Sequence, residues 1–437
     1  MPDFVTLPEA DRFVLRNVAL PLAITESILA AGREGLAPAD MVIGNGKIET
    51  ITAPGATPAD LPSVDLKGGQ VWPCFVDMHT HLDKGHIWPR QPNPDGTFMG
   101  ALETVGQDRE ANWTAEDIAT RMDFALRCAY AHGTKLIRTH LDSLPPHHIR
   151  TWEVFADMRD RWAGRIDLQA AALFPFDMIW DEPYFAEMVA SVSKHGGALG
   201  GVTQMSVDLD KRLDKLFKAA SDADLNVDLH VDETADKEAR TLEAVAEAVL
   251  RNKYEGQVVV GHCCSLAQQD EADAQRIVAK TVEAGLNVVS LPLCNMYLQD
   301  RHAGRTPRWR GVTLVHELMA AGANVSIASD NTRDPFYAYG DLDPLEVFRE
   351  GVRILHLDHP IDSAIRLMTA HPAKAIGRND LGWIKAGNPA DLILFTARGW
   401  TELLSRPQSD RIVLRNGKAV DRTLPDYREL DDILGVQ

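Results

Sequence analysis

The feature that most constrains the fold is a spacing. Short apolar runs recur along the chain: VWPCFVDMHTHLD from 71, TKLIRTHLD from 134, DLQAAALFPF from 167 and LGGVTQMSV from 199, followed by NVDLHVDE from 226, QVVVGHCCS from 257, NVVSLPLCN from 287 and NVSIASDN from 324. Their starts are separated by 63, 33, 32, 27, 31, 30 and 37 residues. About 30 residues is one strand-plus-helix unit. Between the runs lie segments with apolar residues at i, i+3 and i+4, such as AEDIATRMDFALRCAYAHG and EARTLEAVAEAVLRN, the signature of amphipathic helices. Gly133, Gly285 and Gly322 stand where such helices should stop. Eight strands alternating with helices predict an α/β fold of the (β/α)8 TIM-barrel type. The long first step implies an insertion after strand 1. Residues 84–113, rich in Pro, Gly, Asn and Asp, read as a loop over the barrel mouth.

The flanks read differently. Residues 12–53 (RFVLRNVALPL, DMVIGNGKIETI) and the stretches DLILF from 391 and RIVLRNGKAV from 411 are β-like, and both ends carry an Asn-Gly turn signal. The expectation is a small β-sandwich domain built from both chain ends, 1–68 with 376–437, beside a barrel of 69–375.

In a barrel of this kind chemistry gathers at the C-terminal ends of the strands, so the polar residues ending each run carry the functional argument. Run 1 ends in His79-Thr80-His81, and residues two apart on a strand face the same way. Run 5 ends in His230 and Glu233, run 6 in His262 and run 8 in Asp330. Taken singly, a strand-end histidine is usually just a hydrogen-bonded mouth residue; it is the conjunction on four strands that points to a metal. Three histidines and a carboxylate suit zinc or ferrous iron. In this reading His79, His81, His230 and Asp330 hold one divalent ion, which acidifies a bound water and supplies hydroxide. Asp330 also hydrogen-bonds that water, Glu233 carries a proton from water to substrate, and His262 stabilises developing charge or orients the nucleophile.

The motifs HTHLDKG (79–85), IRTHLDS (137–143), HVDET (230–234), GHCCS (261–265), PLCNMYLQDR (292–301), SDNTRDPF (329–336) and AGNPADLILF (386–395) resemble the amidohydrolase superfamily, most closely its cytosine deaminase-like group. The resemblance covers most of the chain. It implies the same four ligands, Glu233 as proton shuttle, His262 as catalytic histidine, and a homo-oligomer. Binuclear members place a carbamylated lysine at strand 4; LGGVTQMSV has none, which favours one metal per subunit. Three departures touch the substrate pocket. Asn331 stands where the group has a second acid, Phe336 where it has a tryptophan, and Phe176 near the place of a glutamine that reads the pyrimidine edge. Gln299 and Arg333 are further candidate substrate contacts. His86, Trp88, His140 and Asp142 are candidates for lining or supporting the mouth, while Cys263 and Cys264 read as packing. The expected activity is hydrolytic deamination of a small, cytosine-like nitrogen heterocycle with release of ammonia. The alternatives are a hydrolase of a cyclic amide or N-alkylamino heterocycle on the same site, and a non-catalytic scaffold.

Composition narrows the partners. The 437 residues carry a formal charge of −18, a poor match for phosphate backbones or anionic lipid, so a small-molecule substrate is expected rather than nucleic acid or membrane. Five cysteines without a C-x-x-C spacing argue against a disulfide framework. The opening MPDFVTLPEADRF lacks the basic-then-apolar order of a signal peptide. A cytoplasmic location is the expectation.

Overall fold

The computed structural model describes residues 4–435. Its strands, in chain order, begin with β1 (Arg12–Pro21), β2 (Leu36–Gly44), β3 (Lys47–Thr52), β4 (Ser63–Asp65) and β5 (Val71–Pro73). The central set follows: β6 (Phe75–Thr80), β7 (Thr134–Asp142), β8 (Asp167–Leu173), β9 (Leu199–Val202), β10 (Val227–Val231), β11 (Val258–His262), β12 (Asn287–Ser290) and β13 (Asn324–Ile327). The chain closes with β14 (Leu392–Leu394), β15 (Ile412–Arg415) and β16 (Lys418–Ala419).

The central strands form two parallel sheets, β6-β7-β8 and β9 through β13. These sheets meet at both edges. Ala198 donates to Ala170 O at 2.8 Å and Val202 to Phe174 O at 2.9 Å, joining β8 to β9. At the other edge a parallel bridge pairs Thr80 with Asp330, and Asp330 N donates to His79 O at 2.8 Å. Among the described residues, eight parallel strands thus close a ring, as the spacing predicts. Closure is tight where glycine permits it: a Cβ on Gly200 would lie 2.2 Å from Asp228 O and 2.4 Å from Ala172 O, the carbonyls of its two neighbouring strands.

Helices follow the strands: α1 (Phe98–Asn112) and α2 (Ala115–His132) after β6, α3 (His148–Trp162) after β7, α4 (Glu182–His195) after β8, α5 (Leu209–Asp222) after β9 and α6 (Thr241–Asn252) after β10. Next come α7 (Glu271–Glu283) after β11, α8 (Pro292–Leu298) and α9 (Val315–Ala321) after β12, and α10 (Pro344–Leu355) after β13. Gly133 and Gly322 end α2 and α9 with φ of 106° and 99°, the left-handed turn that a side chain would oppose.

Two expectations need correction. Residues 84–113 are not a loop throughout, because Phe98–Asn112 is the helix α1. Thr97 caps it, its hydroxyl accepting from Gly100 N at 3.0 Å. The Pro-Asn-Asp-Gly stretch before it belongs to the turn that feeds the cap. The first apolar run also divides. Val71–Pro73 pairs antiparallel with β14, outside the ring, and the barrel strand starts at Phe75. Trp72 is the hinge between the two sheets, fully buried against Phe75, Phe348, Phe395 and Trp400.

Strands from the two chain ends share one apolar cluster, in which Phe13, Leu15, Met41 and Ile43 meet Leu392, Leu394, Ile412 and Leu414. Asn45-Gly46 and Asn416-Gly417 turn β2 into β3 and β15 into β16, all four with φ between 48° and 77°. All five cysteines are free and buried. Among the described residues, no helix is long and apolar enough to cross a membrane.

Candidate active site

Four strands of the ring deliver the residues that the motifs single out. On β6, Val76 and Met78 share an apolar cluster with Leu136, Val259 and Ala328; His79 lies near the end of the strand and His81 just beyond it. His79 Nε2 lies 3.6 Å and His81 Nε2 3.2 Å from Asp330 Oδ1. His230 Nε2 lies 3.4 Å from His81 Nε2. His79, His81, His230 and Asp330 therefore converge on one point at the mouth, all buried. His140, at the end of β7, stands behind them: its ring centroid is 3.9 Å from that of His79, and its Nε2 is 3.1 Å from Asp228 Oδ1.

The backbone is bent to achieve this convergence. His262 and Asp330 have φ of 69° and 65°, a left-handed conformation costing residues with a side chain about 1–3 kcal/mol each. Asp330 is held there by its bond to His79 O. The turn after His262 is held by Cys263 N donating to Val231 O at 2.8 Å. Such strain persists only where the surrounding structure over-determines it.

The donor set has the marks of a cation site. Both nitrogens of His79, both oxygens of Asp330, Nδ1 of His81 and Nδ1 of His230 are buried with no hydrogen-bond partner in the protein. Buried polar atoms are rarely left so, and these belong to ligand-type groups. The ligand atoms of His79, His230 and His262 lie within 4.8 Å of one another, as do those of His79, His81 and His140. Burial, with the neighbouring imidazoles, pushes His79 and His230 well below the usual histidine value; burial and Lys84 do the same to His81. All three are neutral near pH 7, the form that binds metal. Burial, with Asp330 nearby, pushes Glu233 well above the ordinary carboxylate range.

Glu233 and His262 face each other, with Glu233 Oε1 3.3 Å from His262 Nδ1. A residue not singled out from the sequence, Asn295 of α8, sits between them. Its Nδ2 is 3.2 Å from Glu233 Oε1 and 2.9 Å from His262 Nδ1.

Above this floor opens a cavity of about 820 Å³, its mouth included. One wall is α1: Phe98, Leu102, Val105 and Arg109 line it at i, i+4, i+7 and i+11, a single helical face. That spacing was legible in FMGALETVGQDR, but the turn residues before it drew the stretch into a loop. Phe174, Pro175 and Phe336 complete the apolar walls. Phe336 and Asn331 stand at the cavity, as their positions beside Asp330 suggest. Asn331 Nδ2 donates to Asp334 Oδ2 at 2.7 Å. Gln299 lines an adjoining cleft and donates to Glu233 O at 3.3 Å. Phe176 does not line the cavity; it is packed in the core beside Gly201. Arg333 also points elsewhere, its guanidinium stacked 4.0 Å over the Tyr427 ring. His86 is buried against Phe124. Polar lining comes from Gln204 and from a triad: Asp142 accepts from Lys84 Nζ at 3.0 Å and from Arg109 Nη1 at 2.9 Å. Burial opposes ionisation of Asp142, but Lys84 and Arg109 outweigh it and hold its carboxyl below the ordinary range. Cys263 and Cys264 are buried, and burial pushes both thiols well up, which agrees with packing.

The profile of the Amidohydrolase family matches residues 148–421. The chain belongs to the amidohydrolase family. This amidohydrolase is 59% identical over 432 residues to pterin deaminase of Rhizobium rhizogenes, covering 99% of each chain. N-isopropylammelide isopropyl amidohydrolase of Pseudomonas sp. is 24% identical, over 82% of this chain and 87% of its own. Among solved structures, 5-methylcytosine deaminase of Klebsiella pneumoniae liganded with phosphonocytosine superposes with a TM-score of 0.81 at 27% identity. That superposition covers 93% of this chain and 98% of the other.

Proposed function

We propose that this amidohydrolase is a metal-dependent deaminase of pterins, replacing the exocyclic amine of a 2-amino-4-oxopteridine ring with oxygen. The observation that carries the reading is the 59% identity to pterin deaminase along 99% of both chains. The cavity supports it. Phe98, Phe174, Phe336, Leu102 and Val105 form apolar walls for a flat bicyclic ring, and the group's pyrimidine readers are replaced by Asn331 and Phe336, with no glutamine at Phe176. The cytosine-like substrate of the sequence reading gives way here to a larger ring. We also infer the domain division of 1–68 with 376–437 beside 69–375.

In this reading His79, His81, His230 and Asp330 hold one divalent ion, zinc or iron, consistent with their buried donor atoms that find no partner in the protein. When bound there, such an ion supplies a water acidified toward neutrality. Glu233 accepts a proton from the attacking water and delivers it to the ring nitrogen beside C2, then takes the proton left on the new C2 hydroxyl and passes it to the leaving amine. The new C2–O bond forms, the C2–N bond breaks, and ammonia departs. His262 donates a hydrogen bond to the oxygen that gains charge at C2. The apolar walls exclude bulk water and fix the ring's plane. Asp142 offsets one of the two positive charges that Lys84 and Arg109 bring to the cavity.

The test is ammonia release by the zinc- or iron-loaded enzyme offered pterin, cytosine, 5-methylcytosine and N-isopropylammelide, with Glu233→Gln alongside. Ammonia from pterin at a kcat/KM at least 100-fold above the others, lost by about 10²–10⁴-fold in E233Q, is expected. Ammonia from cytosine alone, or isopropylamine from N-isopropylammelide, overturns the reading.

A further inference from the structure

We propose that the C-terminal segment 427–434 is a strap that seats two walls of the active-site cavity, with Tyr427 the positioning residue through which it acts. This rests on the cavity above Asp330 being the substrate site, and not on which ring fills it. The segment lies against α2. Leu430 and Leu434 share an apolar cluster with Phe124 and Cys128, and Glu429 Oε2 accepts from Arg127 Nη1 at 2.7 Å. Asp426 and Glu429 close the turn at its start as a capping box. From this base Tyr427 reaches the loop after β13 twice. Its hydroxyl donates to Asp341 Oδ1 at 2.8 Å. The Arg333 guanidinium stands 4.0 Å from the centre of its ring, an attractive cation–π contact. Further on, Ile433 O accepts from Arg90 Nη1 at 3.2 Å. The same guanidinium bonds Asp108 of α1 at 2.7 Å and Asp117 of α2 at 2.5 Å.

The two segments held in this way also grip each other. His86 N donates to Thr332 O at 3.0 Å and Trp88 N to Arg333 O at 2.8 Å. Asn93 Nδ2 donates to Pro335 O at 3.0 Å. Phe98 of α1 meets Phe336 edge-on, their ring centres 5.5 Å apart. Phe98, Leu102 and Val105 of α1 and Asn331 and Phe336 of the loop line the cavity, so the strap's contacts end in its walls. Arg333 has φ of 48°, a backbone state kept only where neighbours over-determine it, and Tyr427 and Trp88 are two of those neighbours. Asp330, at the head of the same loop, is tied separately by its bond to His79 O. Releasing the strap therefore loosens the walls and spares the metal ligands.

For a substrate that binds only the seated walls, unseating lowers the competent fraction and raises KM by its reciprocal; kcat, read at saturation, is unchanged. Tyr427→Ala should raise KM for pterin about tenfold, with kcat within about threefold of wild type and metal content unchanged. Tyr427→Phe keeps the ring beneath Arg333 and loses the bond to Asp341, so its KM should rise about threefold. Arg333→Ala should add little to Y427A, because the two substitutions remove one contact. The direct readout is hydrogen exchange of the metal-loaded protein. Amides of 98–112 and 330–342 should exchange about tenfold faster in Y427A, with β10 and β11 unchanged. A KM unchanged in both Tyr427 variants, wall amides that exchange as in wild type, or metal lost in proportion to activity overturns the proposal. Y427F leaves the packing in place and carries the test where Y427A does not fold. A wild type silent on pterin overturns the substrate reading instead, and the exchange measurement still decides this one.

Discussion

Gly261 offers a sharp test of whether His79 is seated for a metal. It lies on β11, in register with His230 on β10. A Cβ built on it would stand 2.9 Å from His79 Cε1 and 3.2 Å from His79 Nδ1. Ordinary carbon contacts begin near 3.5 Å, so Gly261→Ala must push the imidazole by about half an ångström. The ring has no free direction: His140 lies behind it at 3.9 Å between centroids and His230 beside it at 4.6 Å. A metal–ligand distance tolerates about 0.2 Å, so the displacement exceeds what coordination accepts. G261A should bind zinc about 10–100-fold more weakly. The overpacking should cost about 1–3 kcal/mol of stability, and activity should recover in part at high metal. Competition with a chromogenic chelator, thermal melting and ammonia release against metal concentration measure the three effects. Gly106→Ala is the control. Its nearest neighbour would be Arg109 Nη2 at 3.8 Å, and alanine inside α1 should gain about 0.5–1 kcal/mol. If G261A matches wild type in metal affinity and in rate, His79 is not held against a metal as argued.

Asp142→Asn should cost about 3–5 kcal/mol, because Lys84 and Arg109 are left buried without their counter-charge. Because Lys84 and Arg109, against the effect of burial, keep the Asp142 carboxyl low, its contribution is complete above the ordinary carboxylate range and is lost as pH falls through the lowered value. The variant's melting temperature should therefore be lower near neutrality and converge on wild type in acid. His86 loses its contribution in the same direction, at higher pH, because its neutral form is the one favoured. Burial, reinforced by Arg333, pushes it down to about 3, so the native state favours the neutral ring. Stability from this group is full above the unfolded value near 6.5 and is lost as pH falls toward 3, by up to about 4–5 kcal/mol. His86→Gln should flatten the melting-temperature profile between pH 6 and 4, and an unchanged slope would refute the assignment. Chelation should abolish ammonia release and lower the melting temperature, with both restored by one equivalent of metal per chain; stoichiometry near two would refute a single site.

Periodicity made the ring legible, since a strand buried on both faces writes itself as a continuous apolar run. The grouping was legible because ligand-type residues end those runs: His79 and His81, His230, His262 and Asp330 lie together at the mouth. The helix α1 was hidden, although Phe98, Leu102, Val105 and Arg109 fall on one face, because the punctuation of residues 89–97 dominates the local signal. Phe176 could not be placed from sequence. Two residues decide between cavity wall and core at the end of β8, and there it is Phe174, not Phe176, that meets the cavity.

What the sequence by itself determined is whatever is local or periodic: the strand-and-helix alternation, the turn residues, and the ligand-type side chains at strand ends. What only the tertiary structure decided depends on distance between segments far apart in the chain. Val71–Pro73 joins β14 because Leu392–Leu394 comes alongside it, and nothing within VWPCF distinguishes the two strands. Arg333 turns away from the cavity because Tyr427 offers it an aromatic face 4.0 Å away. Asn295 meets Glu233 and His262 only because the ring sets both within reach of one buried amide. A side chain's type is written in the sequence; its partners, and hence its proton and its charge, follow from the neighbours that folding brings to it.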